Sequence, residues 1–344
     1  MSNGVSMPLV SICIPVFNAG NTIRETIESL LVQSYQNFEL HVSDNASTDN
    51  TIEIVSGFND SRISIHRHEI NLGGEENFNI CLHLARGKYT AVFHADDIYE
   101  QTMLETQVSF LEHNPTAGAV FTQANLINDS GVKVGEIRLP SSLRSSTNLY
   151  DFNNIFKALL KDSNFLICPS AMVRTQIYQE EMKAWRWALF ESSADLDMWL
   201  RIAQGHQIGI MPIALMRVRI SNEQWSAKVR LQPSRADFFK VVDYYLLQRD
   251  VHTSLGKSDV RNYQRLGRRD DVMRSVNLFL LGDLQESKQL LSSFYSIDAL
   301  AAALQHKRNF QVLLLGGYLY FLHFFKLKKF GRQTLRFMKR TLRK

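Results

Sequence analysis

The sequence predicts a doubly wound α/β domain with a mostly parallel sheet, followed by a helical C-terminal extension. Three observations carry this. Short β-branched and aromatic runs alternate with helix-period segments up to about residue 130. Strands separated by helices of that length pair in parallel. Beyond about Glu223 the apolar spacing is helical almost to the end. Lastly, the run Tyr89-Thr90-Ala91-Val92-Phe93, entered through Arg86-Gly87-Lys88, ends in His94-Ala95-Asp96-Asp97, which puts charge where a buried strand stops.

The elements follow in order. Leu9 to Val16 reads as a buried first strand, and Ile23, Ile27, Leu30 and Leu31 recur at helical spacing between Asn21 and Ser34. Phe38 to Ser43 is a second strand, and a helix begins at Thr51. Arg62 to His66 is a third strand, and Phe78 to Ala85 a third helix. After the strand at Tyr89, a helix from about Thr102 to His113 leads into a fifth strand, Ala117 to Thr122. Ser130 to Ser146 is polar and turn-rich and reads as a loop over the site. Asp151 to Leu160 is helical. Phe165 to Arg174 reads as a core strand interrupted at Pro169, with Pro169 and Ser170 set apart from the core. Ile208 to Val218 is strand-like. The expected division is a domain of residues 1–222 and a helical region of residues 223–344.

Composition bounds the function. A chain of 344 residues, 45% hydrophobic, is long enough for one large domain plus an appendage. Cys13, Cys81 and Cys168 lie far apart in apolar segments, which fits buried, reduced thiols in a cytosolic compartment and neither a disulfide framework nor a zinc site. Met1 to Pro8 is short and polar, unlike a secretory signal. The net charge of +5 is concentrated in Lys326, Lys328, Lys329, Arg332, Arg336, Lys339, Arg340, Arg343 and Lys344. Without this tail the chain is net acidic, which argues against nucleic acid as a partner. Phe310 to Phe325 is apolar and aromatic but shorter than the roughly 20 residues a spanning helix needs. Next to that charge it reads as an interfacial anchor on an anionic membrane surface. The alternative is a core helix of a C-terminal bundle.

The chemistry-bearing residues cluster at strand ends, where ligands of open α/β sheets bind. Two adjacent carboxylates, Asp96 and Asp97, raise each other's pKa unless a cation neutralises them. Mg²⁺ and Mn²⁺ favour such oxygen ligands. Alternatively, Asp97 caps the helix that starts near Glu100. The first strand ends in Pro15-Val16-Phe17-Asn18, where Asn18 closes the turn. The second ends in Asp44-Asn45-Ala46-Ser47-Thr48-Asp49. Ser47 or Thr48 is a natural N-cap there, which leaves Asp44 to accept from a base N–H or a ribose hydroxyl. Neither strand is followed by a dinucleotide-binding glycine fingerprint or a P-loop. Further on, Asp195 and Asp197 precede an apolar helical turn, where acids complement the helix dipole. One of them is also a candidate general base.

Ser11 to Asn18, Asp44 to Asp49, Asn71-Leu72-Gly73, Ala85 to Tyr89 and Ala95-Asp96-Asp97 occur in an order and spacing that resembles the family 2 inverting glycosyltransferases with the GT-A fold. The resemblance spans about Pro8 to Ser221. It implies transfer of a sugar from a UDP- or dTDP-sugar, with Mn²⁺ or Mg²⁺, to a saccharide or polyprenyl-linked acceptor in cell-surface polysaccharide synthesis such as lipopolysaccharide or O-antigen. By resemblance, Pro15, Phe17, Asn18, Asp44 and Asn45 hold base and ribose. Asn71 to Asn77 lie beside the base or diphosphate, Asp96 and Asp97 are the metal carboxylates with Asp96 also toward the nucleotide, and Asp195 is the catalytic base. The sequence departs from the family pattern at Asn45, His94, Ala194 and Ser221. With Ser221 in place of the family's histidine, Arg219 is left either to neutralise the diphosphate or to lie solvated at a strand end. The chain lacks the Gln-x-x-Arg-Trp motif of processive synthases, so single addition is expected, with the enzyme peripheral on the inner face of the cytoplasmic membrane. Two other classes are the alternatives. A nucleotidyltransferase normally needs a basic, glycine-rich loop after the first strand, and Asn18-Ala19-Gly20-Asn21-Thr22 is not one. A catalytically degenerate sugar-binding or scaffold protein remains the non-enzymatic alternative.

Overall fold

The computed structural model describes residues 9–143, 146–221, 232–291 and 307–341. The chain divides into two compact units, Met1–Ser221 and Asn222–Lys344.

The first unit is a mixed α/β domain around one sheet. Its strands are β1 (Val10–Val16), β2 (Phe38–Asp44), β3 (Ile63–Arg67), β4 (Tyr89–Val92), β5 (Ile98–Tyr99), β6 (Ala117–Ile127), β7 (Lys133–Ile137), β8 (Leu149–Tyr150), β9 (Met172–Arg174) and β10 (Gln207–Arg219). The order is β3-β2-β1-β4-β9-β6-β10-β5, with β7 paired to β6 and β8 to β10. On that path β9 and β5 run against the other strands, so the sheet is mostly parallel. Helices α1 (Ile23–Leu31), α2 (Thr51–Ser56), α3 (Gly74–Leu84), α4 (Met103–His113), α5 (Phe152–Asp162), α6 (Trp187–Phe190) and α7 (Ala194–Gly205) connect and cover the strands. The core forms where apolar residues of β1, β2 and β4, such as Ile12, Ile14, Leu40, Val42 and Ala91, meet Ile23, Ile27 and Leu30 of α1. Strands covered on both faces need continuous apolar runs, and β1 supplies one.

Several boundaries differ from the sequence expectation, each for a physical reason. Helix α3 begins at Gly74, four residues before Phe78, because Gly73 adopts φ 86° and turns the chain early. Asp97 is not a helix cap: α4 starts at Met103 after Thr102, and Ile98–Tyr99 intervenes as a short strand on β10. The segment expected as a loop from Ser130 contains β7, a hairpin partner of β6. The expected strand at Phe165 is mostly a 3-10 turn, Cys168–Ser170, before the three-residue β9. Ser170 is fully buried, with its hydroxyl on the Ile167 carbonyl and accepting the Thr122 N–H, so it packs inside the domain and is not set apart from the core.

The second unit is helical where it is described: α8 (Asp237–Leu246), α9 (Arg249–Thr253), α10 (Lys257–Leu281), α11 (Leu284–Leu291), α12 (Lys307–Phe324) and α13 (Lys328–Thr341). Leu319 and Leu322 of α12 and Leu335 of α13 are buried with Val272, Val276, Phe279 and Leu291. His323 joins them by a hydrogen bond between Nε2 and the Ser287 hydroxyl, 2.9 Å. The other side of these helices is open: Phe310, Leu314, Phe321, Phe324, Phe330 and Phe337 are exposed, Phe324 at 70%. The inner face of α12 is thus that of a core helix in a C-terminal bundle. Among the described residues, no helix is long and apolar enough to cross a membrane.

Gly87 tests the sheet's closeness. A Cβ there would overlap the Leu9 carbonyl and sit 2.9 Å from the Ser11 nitrogen, and backbone atoms cannot swing aside. Gly87→Ala is expected to destabilise the first unit by about 1–3 kcal/mol, as overpacking does. A lowered midpoint in urea with an unchanged slope would show it.

Candidate active site

The ends of β1 and β2 are sutured by side chains. Asn18, at φ 52°, accepts the Thr48 N–H on Oδ1, 2.8 Å, while its own N–H donates to the Ser47 hydroxyl, 2.9 Å. The Ala19 N–H donates to the Thr51 hydroxyl and the Gly20 N–H to Asp49 Oδ2. The residue preceding α2 is Asn50, so Ser47 and Thr48 close this loop and do not cap the helix. Pro15 is half-buried and Phe17 is exposed beside the suture.

Asp44 is fully buried and does have a structural role. Its carboxylate accepts the Ser47 N–H and lies 3.5 Å from Arg67 Nε. Asn45 binds the next loop: its amide donates to Asn71 Oδ1 and the Gly73 carbonyl and accepts the Leu72 N–H. Asn71 is thereby fixed at the exposed edge of this loop. Asn77 is buried, with both amide atoms bonded to Ser43, so it holds the end of β2 from behind and is not an exposed contact.

The acid motif after β4 is held by α1. The Thr26 hydroxyl donates to the Asp97 carbonyl, 2.8 Å. Ser29 accepts the Tyr99 N–H, and the Gln33 amide donates to the Glu100 carbonyl. Asp97 Oδ1 accepts the Arg219 backbone N–H at 2.9 Å, whereas Oδ2 is buried without a hydrogen-bond partner among the described residues. Burial, and then the Asp96 charge, push the Asp97 carboxyl well up. His94, Asp96 and Asp97 each offer a ligand atom, and these atoms lie within 4.8 Å of one another. A buried carboxylate oxygen with no donor beside two further ligand atoms suits a hard divalent cation, so the residues fit the implied metal. Arg219 is neither solvated nor directed at an open anion site. It is 7% exposed, and its guanidinium binds Glu25 and backbone carbonyls.

The second pair of acids splits in two. Asp197 is fully buried and ion-paired with Arg186 and, at 3.0 Å, with Arg201, whose guanidinium also ties down the Met182 and Ala184 carbonyls. Asp195, half-buried in the first turn of α7, has no such cation; burial raises its carboxyl to about 6. Sequence reasoning missed Cys168, which had only an apolar setting to mark it. Burial raises its thiol first, followed by the charges of Asp195 and Asp97, so this sulfur lies within electrostatic reach of both acids. Aromatic rings pack beside His94. Phe78 packs against His94 at 6.1 Å, Trp185 at 5.6 Å and Trp187 at 5.4 Å.

A mostly parallel sheet with acids beyond its strand ends and a separate half-buried carboxylate is an arrangement of the GT-A kind. The chain belongs to Glycosyl transferase family 2, whose pattern matches residues 11–182, half of its length. It is 28% identical over 259 residues to an uncharacterized glycosyltransferase of Methanocaldococcus jannaschii, covering 72% of this chain and 81% of that protein. Over 106 residues it is 38% identical to the E. coli UDP-Glc:alpha-D-GlcNAc-diphosphoundecaprenol beta-1,3-glucosyltransferase WfaP; this covers 31% of the chain and 42% of that relative. Among solved structures, S. aureus TarS 1-349 in complex with UDP-GlcNAc superposes with a TM-score of 0.60 at 18% identity, covering 96% of this chain and 91% of that one. That likeness speaks to the fold. The nucleotidyltransferase alternative finds no support in these relationships.

The two acids of α7 should respond oppositely to amidation. Asp195 titrates near 6 in the folded chain and near ~3.9 unfolded. Native protein therefore holds that proton more tightly, and stability is lost as pH rises between the two values. Asp195→Asn is expected to raise Tm at pH 8 and leave it unchanged near pH 4. Asp197→Asn strands two arginines and should cost on the order of 3 kcal/mol. Calorimetry at both pH values reads both effects.

Proposed function

We propose that the chain is an inverting glycosyltransferase. It would move a sugar from a UDP- or dTDP-linked donor to a saccharide or polyprenyl-linked acceptor in cell-surface polysaccharide assembly. One observation carries the reading: His94, Asp96 and Asp97 bring ligand atoms within 4.8 Å of one another, just beyond the end of β4. An acid with an unpartnered buried oxygen suits a cation, and a carboxyl near 6 suits a general base at neutral pH.

The Asp195 carboxylate accepts the proton of the acceptor hydroxyl. The hydroxyl oxygen bonds to the anomeric carbon as the bond to the diphosphate breaks, and the electron pair leaves with the nucleoside diphosphate. One in-line displacement inverts the centre. Asp96 and Asp97, with His94 alongside, would hold Mn²⁺ or Mg²⁺, which neutralises the leaving diphosphate when bound. Pro15, Phe17, Asn18, Asp44, Asn45 and Asn71 form the nucleotide side, with Asp96 toward the ribose. Asn77 supports this side from behind. The substitutions at Asn45 and Ala194 leave one acid where the family pattern often has two, and a single base suffices for inversion.

Two measurements test this. A panel of nucleotide-sugars with Mn²⁺ should reveal one hydrolysed donor. With that donor, the wild-type rate should climb with pH through about 6 and then level. Asp195→Asn should lower kcat roughly 10²-fold and abolish that limb while leaving donor KM unchanged. A full-rate Asp195→Asn enzyme with the limb intact would refute the assignment.

We place the C-terminal unit on the inner, anionic face of the cytoplasmic membrane. The support is the exposed aromatic side of α12 and α13 interleaved with exposed Lys326, Lys328, Lys329 and Arg336. Each basic residue at such a surface contributes about 1 kcal/mol. Deleting the tail is a poor test, since Leu319, Leu322 and Leu335 are core. The full chain should float with vesicles containing phosphatidylglycerol and release in high salt. Phe324→Ser/Phe337→Ser and Lys328→Glu/Lys329→Glu should each weaken flotation with Tm preserved.

A further inference from the structure

We infer that Arg219 is a positioning residue for the Asp96–Asp97 pair, and that Glu25 on α1 sets Arg219 in turn. The inference rests on the metal reading above. The two oxygens of Asp97 have different fates, and the difference is made by β10. Oδ1 is taken by the Arg219 backbone N–H at 2.9 Å, which turns Oδ2 into a buried oxygen free of donors. The aim of the carboxylate is thus the position of a strand's last residue. Strand ends fray unless something pins them.

The pin is the side chain of the same residue. Its Nε donates to the Asp96 carbonyl at 3.1 Å, Nη1 to the carbonyls of Asn128 and Asp129 at 3.3 and 3.2 Å, and Nη2 to Glu25. One guanidinium therefore fastens the acid motif, the end of β6, the end of β10 and the first turn of α1. Only a rigid fork of five donors reaches so many acceptors at once, which is why lysine is a partial replacement. The same turn of α1 sends Thr26 to the Asp97 carbonyl, so the motif is held at its backbone from one side and at its carboxylate from the other. Side chains of this kind orient metal ligands from outside the coordination sphere. The guanidinium is committed to these acceptors, which gives it a role other than pairing with a departing diphosphate.

Glu25 is half-exposed, so its variants should fold even if those of Arg219 do not. Full-length wild type, Glu25→Ala, Glu25→Gln, Arg219→Met and Arg219→Lys would be titrated with Mn²⁺ alone, reading free Mn²⁺ by electron paramagnetic resonance. UDP binding without metal and Tm would be measured alongside. Glu25→Ala and Arg219→Met should weaken Mn²⁺ binding about tenfold or more, the range for such supporting residues. The glutamine and lysine variants should recover part of the loss, and UDP affinity should hold. The Glu25→Ala/Arg219→Met double variant should bind Mn²⁺ no more weakly than Arg219→Met. A merely structural pair would lower Tm and spare Mn²⁺ affinity, and Glu25→Ala with wild-type Mn²⁺ affinity overturns the inference alone. Wild type failing to bind Mn²⁺ overturns the metal reading and this inference together.

Discussion

A carboxylate oxygen buried without a donor costs free energy unless something cationic meets it. The Asp97 Oδ2 atom is such an oxygen, and its existence depends on the bond between the neighbouring Oδ1 and the Arg219 N–H. Much of the catalytic unit is arranged around keeping that one bond in register. It requires β10 to end beside the loop after β4, although 122 residues separate the two partners. It also requires α1 to lie across both, which the buried stripe of Ile23, Ile27 and Leu30 enforces through the sheet core. The apolar pattern thus fixes a helix, the helix fixes a loop, and the loop fixes a charge. Each step is cheap alone; the last depends on all the others.

How much of this was legible in the sequence follows the same division. The mostly parallel sheet was, because buried parallel strands demand apolar runs that β1, β2 and β4 display plainly. The acid motif was too, since adjacent carboxylates at a strand end are conspicuous. What escaped was anything whose meaning lies in a distant partner. Nothing local marks Glu25 as the companion of Arg219. Asp44 shows the converse. Its spacing left it unexplained, yet the Ser47 N–H three residues on satisfies it. Asn77 reads from the sequence as one more polar residue of a loop, because the glycine pair Gly73-Gly74 hides a helix start that precedes Phe78.

Asp195 and Asp197 show how one turn of helix keeps chemistry apart from structure. Two residues along a helix is about 200° of rotation, so the pair face different surroundings. Asp197 points to two arginines that also hold the chain before α7. Asp195 has no such ion pair among the described residues, and burial raises its carboxyl. The same residue type is thus an ion-paired brace at one position and a raised carboxyl at the other, by environment alone.

Helix α12 carries a different consequence. Its inner face closes the C-terminal core through Leu319 and Leu322, while Phe321 and Phe324, a residue or two away, stand in water. Nothing needs to unfold or swing for that greasy edge to become available, because it is already displayed in the resting fold. Aromatic area left standing in solvent holds water molecules that any apolar phase would release. In dilute buffer the unit therefore carries a permanent tension that lipid, detergent or a neighbouring copy would relieve. Purified away from such company, the chain should grow stickier with concentration and with salt strong enough to mute the repulsion among its lysines and arginines.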